Sequence, residues 1–206
     1  MAHNPWHDVT LPRDLSGPIP AVIEIPKGSK VKYEIDKSSG LLLVDRVLFS
    51  AVHYPANYGF VPRTFCGDGD ALDILVLCEE AIVPLAVMRA RVIGVMRMRD
   101  DKGQDDKLIA VHADDPEQEG IDDVSQVRPH HLRELKQFFT DYKQLENKTV
   151  TISKPQGRKQ ALRILAEAQA LYTKERARLL VEYPVLAPAA PTRAAPATRR
   201  RRRAKS

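Results

Sequence analysis

From Ala21 to about residue 111 the chain reads as short apolar strands separated by polar turns, with residues 30–36 alternating cleanly at period two. The three- and four-residue period of a helix appears only after Pro129. Residues 21–25 and 30–36 read as strands. In the second, Val31, Tyr33 and Ile35 share one face, and Lys32 and Glu34 share the other. After the turn Ser38-Ser39-Gly40, residues 41–48 return as a third strand. There Arg46 falls in register with Leu42, Val44 and Leu48, so a guanidinium lands on an otherwise apolar face. Burying it unpaired is costly, so it is expected to pair, to bind an anion, or to snorkel from a sheet edge.

Residues 54–62 carry two prolines, Asn57 and Gly59 and read as a long loop bearing Tyr54 and Tyr58. Residues 74–77 form a short strand, and 86–99 one or two strands bent near Gly94. Residues 107–111 close a hairpin. Leu132, Leu135, Phe138 or Phe139, Tyr142 and Leu145 then mark one helix, with Lys143 at its margin. Residues 148–154 read as a last strand. A second helix over 158–182 has Leu162, Leu165, Ala168, Leu171 and Leu179 as its apolar side.

Six or seven short strands followed by two helices predict a mainly β, α+β fold: a small closed barrel with the helices packed outside. Residues 1–18 read as an irregular arm whose Trp6 packs on the body, Pro5 arguing against a helix there. Residues 19–183 form the domain. Residues 184–206, dominated by Ala, Pro, Thr and Arg, read as a disordered basic tail.

Charge sharpens this division. The formal net charge is +5, but the segment after Tyr183 holds seven Lys and Arg and no acid. Subtracting those seven leaves about −2, so the body does not look like a nucleic-acid binder. The tail can contact polyanions. Two cysteines without framework spacing, Cys66 and Cys78, fit buried thiols in a reducing compartment. No run is long enough to span a bilayer and no apolar leader precedes the domain, so the chain reads as cytoplasmic. P-loop and GxGxxG motifs are absent.

The chemistry concentrates in two acidic turns. Asp68, Asp70 and Asp73 crowd six residues just before the 74–77 strand, and Asp100, Asp101 and Asp105 surround Gly103. One such turn is ordinarily just solvated. Two, each beside a strand and with basic residues elsewhere to complement them, point to hard divalent cations such as Mg²⁺. Lys32, Arg46, Lys107, Lys143 and tyrosine hydroxyls would face a highly charged phosphate compound. The residues alone therefore reach metal-dependent phosphoryl transfer to water, with no substrate named. His130-His131 opens a helix and reads as solvated.

The runs Lys32-Tyr33-Glu34-Ile35-Asp36-Lys37, Val44-Asp45-Arg46, Tyr54-Pro55-Ala56-Asn57-Tyr58-Gly59-Phe60 and Asp68-Gly69-Asp70-Ala71-Leu72-Asp73 together resemble family I soluble inorganic pyrophosphatases. So do Asp100-Asp101, Asp105-Asp106-Lys107 and Phe138-Phe139-Thr140-Asp141-Tyr142-Lys143. The similarity covers roughly residues 5–180. Trp6-His7-Asp8 and Val61-Pro62-Arg63-Thr64 look closest to the short bacterial and plant type.

The resemblance implies an OB-like closed five-stranded barrel and Mg²⁺-dependent hydrolysis of pyrophosphate to two orthophosphates, with several ions per site. It implies Asp68, Asp73 and Asp105 as metal ligands, Asp73 bridging two ions, and Asp100 with Asp105 for a further ion. Asp70 would take the proton of the attacking water, and Glu34 and Asp101 would hold waters around the metals. Lys32, Arg46, Tyr142 and Lys143 would grip phosphate, Tyr58 and Lys107 would complete the site, and Glu24 and Tyr54 would lie at its edge. A homo-oligomer is implied, a hexamer in bacterial relatives and smaller in plant-like ones. The family usually has Pro where Ala71 stands, and often Glu at Asp101. Two other classes compete: an OB-type nucleic-acid module, and a broader nucleotide phosphohydrolase.

Overall fold

The computed structural model describes residues 4–100, 103–146 and 148–183. Its centre is a closed five-stranded barrel. Strand β1 (Ile19–Ile25) pairs with β4 (Asn57–Phe60), β4 with β5 (Asp73–Leu77), β5 with β9 (Lys107–His112), and β9 with β6 (Val87–Met96), which returns to β1. All these pairs are antiparallel except β5–β9. A hairpin of β2 (Val31–Ile35) and β3 (Leu42–Val47) stands apart as its own two-stranded sheet. A small sheet of β7 (Met98–Asp100), β8 (Gly103–Gln104) and β10 (Thr151–Ile152) extends from the end of β6, and β11 (Gln156–Gly157) adds to β6. The helices are α1 (Pro5–Asp8), α2 (Pro129–Asp141) and α3 (Arg158–Glu182).

Alternation along the barrel strands explains how two helices stabilise one sheet. Ile74, Val76, Leu108 and Ala110 join a core with Ala161, Ile164, Leu165 and Ala168 of α3. Their neighbours Leu75, Ile109 and Val111 join a second core with Leu135, Phe138 and Phe139 of α2. Strands covered on both faces read as continuous apolar runs, as 74–77 and 107–111 do. Helix α3 matches its predicted span; of the expected apolar side Leu165, Ala168 and Leu179 are buried, Leu162 and Leu171 only half-buried, and Ala161, Ile164 and Tyr172 join the buried face.

Four expectations are corrected. Residues 57–60 form the fully buried central strand β4, not part of a loop. Gly59 there is a close-approach residue: a Cβ would lie 1.9 Å from the carbonyl oxygen of Val22 on β1. The Gly59→Ala variant is therefore expected to lose about 3 kcal/mol or more of stability, because the clash is with backbone that cannot repack. Urea unfolding measures it. Gly94 plays a similar part at the β6 bulge, where a Cβ would meet Val124 at 2.6 Å.

Second, α1 exists within the supposedly irregular arm. Pro5 takes its first position, where no amide is needed, and the Asn4 side chain accepts from the Trp6 amide. Trp6 packs on the body as expected, buried among Phe60, Tyr172 and Leu179. Third, residues 148–154 contribute only the two-residue strand β10. Fourth, Leu145 is exposed, because α2 ends before it. Among the described residues no helix is long and apolar enough to cross a membrane. Both cysteines are unpaired and half-buried rather than fully buried. The basic tail lies outside the described residues.

Candidate active site

A cleft of about 560 Å³ opens at one end of the barrel, between the β2–β3 hairpin, the acidic loop before β5 and the end of α2. The fold brings twelve of the expected site residues to its walls. Strand β1 supplies Glu24, the hairpin Lys32, Glu34 and Arg46, β4 Tyr58, and the acidic loop with β5 Asp68, Asp70 and Asp73. The turn into β9 supplies Asp105 and Lys107, and the end of α2 Tyr142 and Lys143. Tyr54 lies buried one ring away, its centroid 5.5 Å from that of Tyr58, behind the wall rather than on it. The Asp100 side chain and all of Asp101 lie outside the described residues.

The floor is an ionic cluster around Lys107. Its buried ammonium lies 2.6 Å from Asp73 Oδ2 and 2.7 Å from Asp105 Oδ1, and donates to the Tyr58 hydroxyl at 3.1 Å. The Tyr58 hydroxyl in turn donates to Asp73. Burial alone would push the ammonium pKa down, but the two carboxylates more than reverse that and hold it above the ordinary lysine value. Burial, with the charges of Asp73 and Asp105, raises the Tyr58 hydroxyl, so it stays protonated. Asp68 is raised by desolvation and by the charges of Asp70, Asp73 and Asp105, a sign of carboxylates converging. Glu24, deeply buried, is pushed up to about 8 by desolvation, although it accepts from the Ile35 amide at 2.8 Å.

Like charges face each other on the opposite wall. Lys32 and Arg46 are directly cross-strand partners on β2 and β3, an arrangement that destabilises a hairpin unless an anion lies between them. Asp45 takes that place here, 3.0 Å from Lys32 and 2.5 Å from Arg46. Lys32 also pairs with Glu34, as the shared face predicts. Arg46 Nε donates to Glu146 Oε1 at 2.9 Å. The apolar face expected around Arg46 is only partly present: Leu48 is buried and Leu42 packs against the core, but Val44 between them is 58% exposed. Pairing, one of the options left open for Arg46, is what the structure contains.

The backbone of the acidic loop is held without proline. Leu72 donates to Thr64 Oγ1 at 2.8 Å, Cys66 to the Asp70 carbonyl at 2.8 Å, and the Asp70 amide to Asp68 Oδ1 at 3.1 Å. These bonds supply the stiffness that Ala71 lacks. Sequence reasoning missed Asp45, Glu146, Gln104 and a role for Lys37. Lys37 lay within a quoted run, whereas Glu146, one hundred positions from Arg46, carried no local signal.

Among the described residues no three carboxylates stand close enough to form a ready-made cation site. Yet the donors are hard oxygens gathered in one cleft, and Asp68 feels the charges of Asp73 and Asp105. That donor set fits a divalent cation of the Mg²⁺ type. The acidic floor also counts against an OB-type nucleic-acid surface, which needs basic and aromatic residues there.

Comparison with known proteins converges on the same chemistry. The family model for inorganic pyrophosphatase matches residues 21–173. Soluble inorganic pyrophosphatase 2 of Chlamydomonas reinhardtii is 53% identical over 171 residues, 83% of this chain and 89% of that one. The soluble inorganic pyrophosphatase of Zea mays is 55% identical over 152 residues, covering 74% and 71%. Among solved structures, the inorganic pyrophosphatase of Helicobacter pylori superposes with a TM-score of 0.78 at 42% identity, covering 81% of this chain and 99% of that one. That of Thermus thermophilus gives 0.79 at 37% identity, covering 82% and 99%. On these similarities, and with the closed barrel and acidic cleft they share, the chain belongs to the family I soluble inorganic pyrophosphatases, metal-dependent hydrolases that act on pyrophosphate.

Proposed function

We propose that this cleft hydrolyses pyrophosphate, and that Asp68, Asp73, Asp105 and Asp100 would hold several Mg²⁺ ions there. The observation that carries this is the convergence of Asp68, Asp70, Asp73 and Asp105 opposite Lys32, Arg46 and Lys143 in one cleft. Bound divalent cations supply positive charge that acidifies water and neutralises phosphate oxygens. Asp70 accepts the proton of the attacking water, and Glu34 and Asp101 orient water around the ions. Lys32, Arg46, Tyr142 and Lys143 bind the phosphates. Asp45 and Glu146 hold Lys32 and Arg46 until phosphate oxygens replace them as partners. Tyr58, kept protonated, donates a hydrogen bond, and Lys107 holds Asp73 and Asp105 in place. Glu24 lies at the edge of this floor, and Tyr54 supports it from behind.

The same reading takes residues 19–183 as the catalytic domain, with the 1–18 arm packed on it and the 184–206 tail available to polyanions. A cytoplasmic setting is supported by the two unpaired thiols. A homo-oligomer, hexameric or smaller, is supported by the exposed apolar side chains Leu43, Val44, Val47 and Phe49 on and beside the β2–β3 hairpin.

Substrate competition tests the reading. The cleft wall carries charge, and of the rings that line it Trp6, Tyr58, Phe60 and Tyr142 are buried rather than open to stack a base, so pyrophosphate is expected to be cleaved at least ~10²-fold more efficiently than a nucleoside triphosphate. Comparable kcat/KM values for the two would move the assignment to a broader nucleotide phosphohydrolase.

A further inference from the structure

Lys37 follows β2 and faces the same cleft, yet the chemistry above gives it no part. Its ammonium pairs with the carboxylate of Asp70 and donates to the Gly69 carbonyl at 3.3 Å. Two neighbouring aromatic rings, from opposite ends of the described chain, lie on one side of that ammonium. The Trp6 centroid lies 5.2 Å away and the Tyr183 centroid 5.4 Å away, with the rings themselves 5.8 Å apart. The seat is fixed. Trp6 is buried and donates from Nε1 to the Thr64 carbonyl at 2.8 Å. The Lys37 backbone carbonyl accepts from Asn4 Nδ2 at 3.0 Å. Ammonium groups held over ring faces gain electrostatic attraction that offsets part of the cost of ordering the side chain.

Asp70 needs such a partner. Its backbone is pinned by bonds to Cys66 and Asp68, but its side chain is 58% exposed. The preceding Gly69 has φ +91°, so the carboxylate leaves a sharply turned loop. Among the described residues Lys37 is the side chain that ion-pairs with it. We infer that Lys37, seated over the neighbouring rings of Trp6 and Tyr183, is a positioning residue that aims the Asp70 carboxylate into the cleft before substrate arrives. This rests on the reading of Asp70 as proton acceptor. It makes the two chain ends part of the catalytic architecture: α1 and the end of α3 hold the lysine, and the lysine holds the base. A general base works only within hydrogen-bond reach of its proton, so a carboxylate free to rotate away spends less time in productive geometry.

The test uses the full chain with saturating Mg²⁺ and pyrophosphate varied across its KM. It compares wild type, Lys37→Met, Lys37→Arg, Asp70→Asn and the Lys37→Met/Asp70→Asn double variant. Lys37→Met is expected to lower kcat about 10-fold with KM changed less than about two-fold, and Lys37→Arg to recover most of the loss. In the Asp70→Asn background, Lys37→Met is expected to cost less than about two-fold, since there is no base left to aim. Tyr183→Leu removes one wall of the seat without touching the lysine, and is expected to give a smaller kcat loss that also vanishes with Asp70→Asn. Three results overturn the inference: unchanged kcat in Lys37→Met, a loss confined to KM, or the same 10-fold loss with and without Asp70. The last two would make Lys37 a direct phosphate ligand or a merely structural residue. Asp70→Asn alone reports on the underlying reading, and wild-type turnover in that variant removes both.

Discussion

Replacing Asp70 by Asn is expected to slow pyrophosphate hydrolysis by ~10²–10⁴-fold, the usual worth of a general base, while leaving the fold intact. The separation of these two effects follows from where Asp70 sits. Its side chain is largely exposed, and its ion pair with Lys37 lies at the cleft rim. Exposed pairs contribute at most about 1 kcal/mol, so the thermal midpoint should barely move. Asparagine is nearly isosteric and leaves the backbone bonds from Cys66 and to Asp68 untouched. What it removes is a basic oxygen able to take a proton from water. Steady-state kinetics with calorimetry on the same preparation checks both halves. Near wild-type turnover in a folded variant would show that Asp70 does not accept the proton.

The opposite pattern is expected for Lys107→Met, whose first effect is on stability. Lys107 is 2% exposed and sits between Asp73 and Asp105, with Tyr58 as a third partner. Methionine keeps much of the length and removes the charge, which leaves two partly buried carboxylates facing each other. Breaking a buried ionic cluster in this way costs about 3–5 kcal/mol, far more than a surface pair. Urea unfolding in excess chelator measures the loss. Adding a divalent cation should then restore part of it, because the cation offers the same carboxylates a replacement charge and binds only the folded state. A loss below about 1 kcal/mol would mean that Lys107 is not the counter-ion of this floor.

Much of this arrangement was legible in the sequence where the signal was local. Helix α3 follows from an unbroken helical period between Pro155 and Pro184, and Lys32 and Glu34 meet because period two puts them on one face. The acidic turns were recognisable because carboxylates crowd within a few residues. What failed were inferences needing a partner distant in sequence. Gly59 looked like a loop former, but β4 needs it because the Val22 backbone lies where a Cβ would go. Arg46 looks stranded on an apolar face, since nothing nearby in sequence announces Glu146 or the exposure of Val44. Pro5 was taken as a helix breaker, yet at the first position it starts α1. Substrate identity was the largest gap. Residue chemistry stopped at phosphoryl transfer to water, and pyrophosphate entered through the family resemblance that the comparisons bear out.

The central claim is that the carboxylates of this cleft work on pyrophosphate through divalent cations. Its most direct test is orthophosphate release by the purified full-length protein, first with Mg²⁺ and then with excess chelator. The account predicts rapid release of two orthophosphates per pyrophosphate with Mg²⁺, and a loss of at least ~10³-fold on chelation that fresh Mg²⁺ reverses. Release at the same rate in chelator, or none from folded protein supplied with Mg²⁺, would contradict it.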